Sequence, residues 1–438
     1  MRRVLYYFFT GAGLMFSFTL KADITGLNDP INILKQDTLV GDPTGLRRFL
    51  ANRGVDLTVQ SVSDMLGNVS GGMARGGDYA GLVNMGLAAD FDKAIGWRGA
   101  SFKSTWLWLY GNNVSSQFAG NKMISSGIYG TPTLRCYELW MQQNLFGDLF
   151  SVRAGQIALD TEFGITGSEA LFLNTTFGIS TGISFNLPNG GPTYPNATPG
   201  VRLALQPVSY LTLRGAISQG NPFPQNENLN GFNWNLGPSG GLLSMNEVEF
   251  SWGKDPSSNV LQGYVKGGFW VETTSTPGTS SIGSAPGVTY TKGQYNTGFY
   301  TGFEQQLYRA KGSAVSLSKN SGKGLDSFFQ LDFSPQSSSP CSLYADSGLI
   351  YTGLLPGRER DKVGVAFAYA QMGPLSRSIG TQNGLPGCGY EMLTEFSYSL
   401  RLTPAVALEP DLQYIIHPGA TQQYGNALVV GFRAVVDF

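Results

Sequence analysis

The sequence predicts an all-β fold, a transmembrane antiparallel β-barrel of about 16 strands, from three observations. Apolar residues recur at every second position in stretches of about ten residues. The connections between these stretches alternate between short and long. Charged residues make up only 13% of the 438 residues, against ~25% in soluble globular chains, whereas glycine (59 residues) and aromatic residues (12%) are abundant.

The period of two predicts strands that separate an apolar from a polar environment. In the last segment, Leu428, Val430 and Phe432 share one face with Phe438, while Arg433 lies on the other. A tilted strand needs ~9–11 residues to span a bilayer, which matches these lengths. The predicted strands are 55–66, 80–91, 99–110, 134–144, 149–158, 199–207, 210–218, 245–252, 261–272, 296–308, 325–333, 342–352, 362–370, 391–402, 405–416 and 427–438.

The lengths of the connections predict how the barrel is oriented. Connections after even-numbered strands are mostly short, as at Gly147-Asp148 and Thr403-Pro404, and those after odd-numbered strands are mostly long. Bacterial outer-membrane barrels have short periplasmic turns and longer external loops. We therefore expect the bacterial outer membrane as the location and its lipid as a partner.

The N-terminus predicts export. Two arginines follow Met1, the 17 residues Val4 to Leu20 carry no charge, and Ala22 offers a small residue at a cleavage point. We interpret 1–22 as a signal peptide, with a retained signal anchor as the alternative. Residues 23–54 are predicted to be a periplasmic segment with a short amphipathic helix within Thr44–Arg53, and 55–438 the barrel.

The long connection between predicted strands five and six comprises residues 159–198. We expect it to be a constriction loop folded into the lumen. Sixteen strands leave an aqueous channel wider than their own side chains fill. The loop mixes apolar and polar residues, as a segment packed inside a barrel should: Phe163, Leu171, Phe172, Phe177, Phe185 and Tyr194, beside Asp160, Glu162, Glu169 and Asn186. The alternative is an external flap over the channel mouth.

The residue inventory argues against an enzyme, a metal site, a cofactor or a nucleic-acid partner. The formal net charge is −1, so there is no basic field for a nucleic acid, and His417 is the only histidine. The pattern Gly178-Ile179-Ser180-Thr181-Gly182 matches a hydrolase nucleophile elbow but lacks the strand-and-helix setting and a nearby histidine. Asp160 and Glu162 lie too close on one segment for a glycosidase pair.

Six separated segments resemble the carbohydrate-selective porin B family. They are Gly67–Gly72, Tyr137–Trp140, Arg153–Ile157, Pro195–Arg202, Gly353–Arg358 and Pro410–Pro418, in the same order over about 40–438. The resemblance implies a 16-stranded outer-membrane porin that admits glucose and related small carbohydrates by passive diffusion, and a homo-oligomer is possible. A general diffusion porin without sugar selectivity is the alternative, and a barrel enzyme is disfavoured by the single histidine.

Strand three and its neighbours are predicted to line the sugar path. Parity places Trp106, Trp108 and Tyr110 on one face of strand three and Thr105, Leu107 and Leu109 on the other, and both faces look apolar. The resemblance implies that the face of Trp108 and Tyr110 is the water-filled side; a lipid-facing aromatic girdle is the alternative. The predicted path consists of Trp106, Trp108, Tyr110, Glu138, Trp140, Arg153, Asp160, Glu162, Arg202 and Arg214.

The three cysteines predict one disulfide. Cys341 and Cys388 fall in the sixth and seventh external loops of the predicted topology, on the same rim, and an exported protein permits the bond. Cys136 is expected to stay unpaired near the top of strand four. Three free thiols are the alternative.

Overall fold

The described residues form a closed antiparallel barrel in which each of 16 strands pairs with the next and β1 pairs with β16. The computed structural model describes residues 36–254, 260–273, 295–310, 322–336, 339–373 and 389–438. The strands are β1 Val55–Gly72, β2 Gly76–Asp90, β3 Ala100–Gly111, β4 Thr133–Leu145, β5 Phe150–Ile157, β6 Thr198–Val208, β7 Leu211–Gln219, β8 Leu242–Trp252, β9 Gly263–Glu272, β10 Asn296–Arg309, β11 Gly324–Phe333, β12 Cys341–Thr352, β13 Lys362–Met372, β14 Tyr390–Thr403, β15 Val406–Ile416 and β16 Gly425–Asp437. The predicted fold class is confirmed.

The helices of the described residues are all short. The α-helices are α1 Leu46–Ala51, α2 Phe91–Ile95 and α3 Thr181–Ser184; single turns of 3₁₀-helix cover Leu159–Thr161, Ser168–Leu171, Thr175–Phe177, Pro188–Gly190 and Pro418–Ala420, and one π-helical turn covers Ser115–Ala119. None of these helices is long or apolar enough to cross a bilayer. The predicted signal peptide, 1–22, lies outside the described residues.

The connections differ in length at the two ends of the barrel. At the end where α1 and Phe438 lie, they have between two residues (404–405) and 14 residues (310–323); at the other end the longest, 158–197, has 40. Local chemistry explains the tight turns. In α2, the Asp90 carboxylate accepts from the backbone N–H groups of Asp92 and Lys93, and Gly96 ends the helix with φ 78°.

The ring closes where the first and last strands meet. Asp64 on β1 accepts from Arg433 on β16 through two contacts, Arg433 Nε to Asp64 Oδ1 at 2.7 Å and Nη2 to Oδ2 at 2.9 Å. Below this ion pair, Arg47 of α1 donates to the Phe438 carbonyl at 2.6 Å, and the Leu39 N–H donates to the Asp437 carbonyl at 2.7 Å. The segment before β1 therefore binds the C-terminal end of β16.

The wall between β4 and β5 is completed by a loop. β5 has eight residues and pairs only with Leu139–Leu145 of β4, which leaves the upper edge of β4 without a strand partner. The connection 220–241 covers this edge: the Cys136 N–H donates to the Asn230 carbonyl at 3.0 Å, and Trp234 Nε1 donates to Gln156 Oε1 at 2.9 Å. These bonds satisfy backbone and side-chain groups that would otherwise be orphaned at a gap in the wall.

Candidate functional site: the barrel lumen

The connection 158–197, here named the lumen loop, folds into the barrel as the sequence predicts. Its backbone N–H groups reach acceptors on opposite parts of the wall. Gly164 N donates to Glu247 Oε2 on β8 at 3.1 Å, Gly167 N donates to Glu304 Oε2 on β10 at 2.9 Å, and Leu173 N donates to Glu395 on β14. A flap over the mouth could not contact all these strands from inside.

The lumen loop also buries two phenylalanines against one side of the wall. Phe172 and Phe177 lie with ring centroids 5.0 Å apart, and Phe172 lies 5.9 Å from Phe328 of β11. These rings belong to a buried apolar cluster that continues over small wall residues such as Ala366 and Ala368 of β13. Each buried Phe contributes roughly 1.5–3 kcal/mol. The loop therefore fills the lumen beside β10–β15, named the far wall.

Opposite the far wall, the inner face of β3–β9, named the near wall, carries a band of paired basic and acidic side chains. Cross-strand pairing puts Gln142, Arg153 and Arg202 side by side on β4, β5 and β6, and Arg214 beside Glu247 on β7 and β8. Glu249 of β8 in turn neighbours Lys266 of β9. Directly opposed residues of an antiparallel pair share one face, so these side chains form a continuous polar band.

Glu162 of the lumen loop joins this band. Glu162 Oε1 lies 2.7 Å from Arg153 Nη1, and Oε2 lies 2.8 Å from Arg202 Nε. Arg214 Nη1 contacts Glu247 at 2.8 Å and Glu249 at 2.9 Å. The carboxylate of Glu162 thus pins the loop to the near wall without filling the space below it.

Trp140 is an aromatic residue of the near wall that lies against the arginines. The guanidinium of Arg153 lies 3.9 Å from the centre of the Trp140 ring, and Lys103 pairs with Glu138 at 2.8 Å just above. Gly155, opposite Trp140 in the register, has φ 139°, and a Cβ there would stand 2.7 Å from the Trp140 Cα. Glycine is therefore required where β5 passes closest to Trp140.

A cavity of about 520 Å³ lies between the near wall and the lumen loop. This volume falls within the ~300–1,000 Å³ of small-molecule sites. Its lining is mostly polar and includes Glu162, Arg202, Arg214, Glu249, Lys254 and Lys266. Within the described residues, no group of three or more His, Cys, Asp or Glu side chains could hold a metal ion. The cavity offers hydrogen-bond donors and acceptors in alternation, which suits a polyhydroxylated solute.

The structure reverses the predicted orientation of β3. Leu107 and Leu109 are buried inside, packed with residues of the lumen loop, whereas Trp106 and Trp108 are 36% and 54% exposed on the outer face. Tyr110 shares that outer face, 5.4 Å from the Trp108 ring. The prediction that Trp106, Trp108 and Tyr110 line the path is wrong in its placement, because the inner face at this level is filled by apolar loop packing rather than water.

The other predicted path residues lie on the inner side, with one difference. Glu138, Trp140, Arg153, Glu162, Arg202 and Arg214 all point into the lumen. Asp160 instead anchors the base of the lumen loop: it accepts from the Tyr194 N–H at 2.8 Å and from the Tyr137 hydroxyl at 3.2 Å. It does not belong to the cavity lining.

Sequence reasoning missed several charged residues of the near wall. Lys103, Glu247, Glu249 and Lys266 belong to the polar band, and strand parity alone could have found them once one inner residue on each strand was known. At β4 a bulge shifts the parity, since Thr105 pairs with Glu138 but Trp106 pairs with Cys136. The extra residue of this β-bulge on β4 is Tyr137, which lies between Glu138 and Cys136.

The structure describes two of the three cysteines, Cys136 and Cys341. Cys136 and Cys341 are both free and buried. Cys136 lies on the outer face, covered by Gly231 of the connection 220–241, while Cys341 begins β12 beside Asn186 of the lumen loop. Cys388 lies outside the described residues. The Cys341–Cys388 disulfide stays a prediction.

Comparison with known proteins identifies the family. The family model described as carbohydrate-selective porin, OprB family, matches residues 74–438. The chain belongs to this family. It is 25% identical to Porin B of Pseudomonas aeruginosa over 91% of both chains, and 24% identical to the putative porin QuiX of Acinetobacter baylyi over 97% of this chain and 98% of that one.

Solved structures agree on the fold of this OprB family member. The high-pH structure of Pseudomonas putida OprB superposes with a TM-score of 0.78 at 22% identity, covering 92% of this chain and 99% of the other. The low-pH structure of the same protein gives a TM-score of 0.58. Family and fold together make the chain a carbohydrate-selective porin of the Gram-negative outer membrane, and a channel rather than an enzyme.

Proposed function

We propose that the channel passes glucose and related small neutral sugars by passive diffusion, along the near wall and past the lumen loop. The observation that carries the proposal is the polar band beside the 520 Å³ cavity: Tyr264 lines the cavity, and Trp140 lies in the band under the Arg153 guanidinium. The pyranose ring has apolar C–H faces and polar hydroxyl edges. An aromatic face beside fixed guanidinium donors and carboxylate acceptors matches both features.

The contacts that a sugar would make with the near wall favour its passage rather than tight binding. Arg153, Arg202 and Arg214 already have carboxylate or amide partners, so a sugar hydroxyl replaces only part of an existing network. Conduction requires binding that is favourable enough to admit a solute and weak enough to release it. A row of partly satisfied groups on successive strands provides several such contacts in sequence.

Liposome swelling with sugars of graded size tests the proposal. Purified protein in liposomes should admit glucose and other monosaccharides much faster than uncharged solutes of equal size that lack a pyranose ring, such as linear polyols. Equal rates at equal size would support the alternative, a general diffusion porin. No influx of any sugar would contradict the proposed function.

The outer strip formed by Trp106, Trp108 and Tyr110 has a separate proposed role. We expect these side chains to contact the bilayer or a second copy of the chain, since an outward aromatic girdle anchors such barrels. Cross-linking in native membranes would distinguish the two: a discrete oligomer that is lost in a Trp108→Ser variant assigns the strip to a second copy.

A further inference from the structure

A buried turn of the lumen loop, Ser168–Leu171, carries a carboxylate into the far wall. The first residue of the turn donates to Glu304 of β10 through its N–H at 3.1 Å and its hydroxyl at 2.7 Å. The last residue packs so closely on β13 that a Cβ at Gly364 would stand 2.7 Å from its side chain. Glu169, between these two contacts, is 2% exposed. The turn therefore holds Glu169 against the part of the far wall that lies between β10 and β13.

Asp346 of β12 is the acidic neighbour of Glu169 in this wall. It lies directly under the lumen loop, since the Tyr344 hydroxyl donates to Asp346 Oδ2 and accepts from the Thr176 hydroxyl of the loop, both at 2.8 Å. Burial, followed by the charge of Asp346, raises the pKa of the Glu169 carboxyl well above its ordinary range. Lys266 acts on Glu169 more weakly and pairs with another carboxylate. Within the described part of the chain, neither Glu169 nor Asp346 has a basic group within ion-pair distance.

Three oxygen atoms at this place have no hydrogen-bond donor. Glu169 Oε2 accepts from the Thr166 N–H at 3.3 Å, but Glu169 Oε1 and Asp346 Oδ1 are buried without a partner. The hydroxyl oxygen of Thr166 is also unpartnered; the residue is 4% exposed, and its side chain lies beside the Glu169 carboxylate. Burying a charge is costly unless it is paired or coordinates a metal, so these oxygens require a positively charged ligand.

Another acidic pair of the far wall shows why a shared proton does not meet this requirement. The carboxyl groups of Glu395 and Asp411 hydrogen-bond to each other, so one proton between them serves both. Glu169 and Asp346 interact through charge without such a bond. A proton on either group would leave the unpartnered oxygen of the other as it is. A cation that contacts several oxygens at once can serve both groups.

We propose that Glu169, Asp346 and Thr166 form a calcium site that fastens the lumen loop to β12. Ca²⁺ takes oxygen ligands in flexible geometry, from carboxylates, carbonyls and water. Two carboxylates balance both charges of the ion, and neutral oxygens supply the remaining ligands. Mg²⁺ fits less well, because it demands near-ideal octahedral geometry and gives up its waters reluctantly.

The test measures binding of Ca²⁺ to the full-length protein, refolded in detergent from inclusion bodies so that it carries no lipopolysaccharide. After treatment with EDTA and its removal, calorimetric titration with CaCl₂ should show one ion per chain, and MgCl₂ should bind severalfold more weakly. Millimolar CaCl₂ should also raise by several degrees the temperature at which the folded electrophoretic band is lost, since a ligand that binds only the folded state stabilises it.

Three variants assign the binding to these residues. Glu169→Gln and Asp346→Asn should each lose the calorimetric signal and the thermal shift, and Thr166→Val, which removes only the hydroxyl, should bind severalfold more weakly. Glu409→Gln is the matched control, since it neutralises a far-wall carboxylate that binds Ser399 at 2.9 Å, and it should bind as wild type does.

Two results would overturn the calcium site. One is a wild-type protein that does not bind Ca²⁺ at millimolar concentration. The other is binding of wild-type strength in folded Glu169→Gln and Asp346→Asn, which would place the ion elsewhere. Neither result bears on the proposed passage of sugars, which liposome swelling measures separately.

Discussion

The two sides of the lumen are built from the same alternating strands but use their charges differently. On the near wall, arginines and lysines stand beside carboxylates, pair with them and leave a polar surface facing the cavity. On the far wall, Glu304 and Glu395 accept backbone N–H groups of the lumen loop instead. Glu247 of the near wall does both, since it pairs with Arg214 and also accepts from the Gly164 N–H of the loop.

Apolar packing joins the lumen loop to both walls. The far wall presents alanines and a few large side chains, against which Phe172 and Phe177 of the lumen loop are buried. The near wall contacts the loop through Glu162 and the Glu247–Gly164 bond, and Phe163 and Ile183 of the loop share a second buried apolar cluster with Trp270 of β9. The loop therefore packs against both walls, and the cavity lies where the near wall presents polar side chains to the loop.

Removing the centre of the lumen loop should give the largest effect. A deletion of 165–190 eliminates the packing on the far wall but retains Glu162, so the single-channel conductance should rise severalfold. Folded barrels can be recognised by their heat-modifiable electrophoretic mobility, which serves as the control. Wild-type conductance in a folded deletion variant would show that the loop does not set the channel width.

Loosening one anchor should give a smaller effect of the same kind. Glu395→Ala leaves the buried N–H groups of Leu173 and Asn174 without their acceptor, at a cost of about 1–3 kcal/mol. Brief high-conductance openings should become at least ~fivefold more frequent in single-channel recordings. Glu409→Ala on the neighbouring strand, whose carboxylate binds Ser399 rather than the loop, is the control and should not change the recordings.

Exchanging aromatic residues tests which wall the sugar follows. Trp140→Ala should weaken glucose block of the ion current by ~3- to 10-fold, the equivalent of ~0.5–1.5 kcal/mol for one aromatic contact. Trp108→Ala, on the outer face, should leave glucose block as in wild type. Equal glucose affinity in wild type and Trp140→Ala would show that the sugar path does not pass Trp140.

The smallest expected effect is that of the predicted disulfide between Cys341, at the start of β12 in the far wall, and Cys388. If Cys341 pairs with Cys388, denatured protein without reductant should show one reactive thiol, that of Cys136. The bond should raise stability by ~2–4 kcal/mol, measurable as a lower denaturation midpoint in Cys388→Ser. Three reactive thiols would contradict the pairing and leave Cys341 free, as it stands beside Asn186.

The strands could be predicted because lipid imposes an apolar side chain at every second position. The predicted segments overlap all sixteen observed strands; the clearest difference is β1, which runs to Gly72 rather than 66 because the polar stretch after Leu66 still pairs with β2 and β16. Backbone pairing with two neighbouring strands stabilises a strand even where its side chains are small or polar. The alternation of apolar residues in the sequence cannot reveal this pairing.

The orientation of β3 could not be predicted because neither of its faces meets bulk water. Leu107 and Leu109 contact the folded loops, and Trp108 faces outwards, so both faces are apolar for different reasons. Asp160 was misplaced for a related reason: a carboxylate in a loop can line water or accept hydrogen bonds, and only its partners, Tyr137 and Tyr194, decide. Tertiary contacts of this kind leave no periodic signal in the chain.

The ion pair between Asp64 and Arg433 has a consequence for the order in which the barrel forms. It joins residues 369 positions apart, on strands that become neighbours only when the ring is complete. Closing so long a stretch of chain costs entropy that no neighbouring hairpin has to meet. We therefore expect the pairing of β1 with β16 to be the last contact to form, and the time at which the Asp64 amide becomes protected from hydrogen exchange during refolding would test this order.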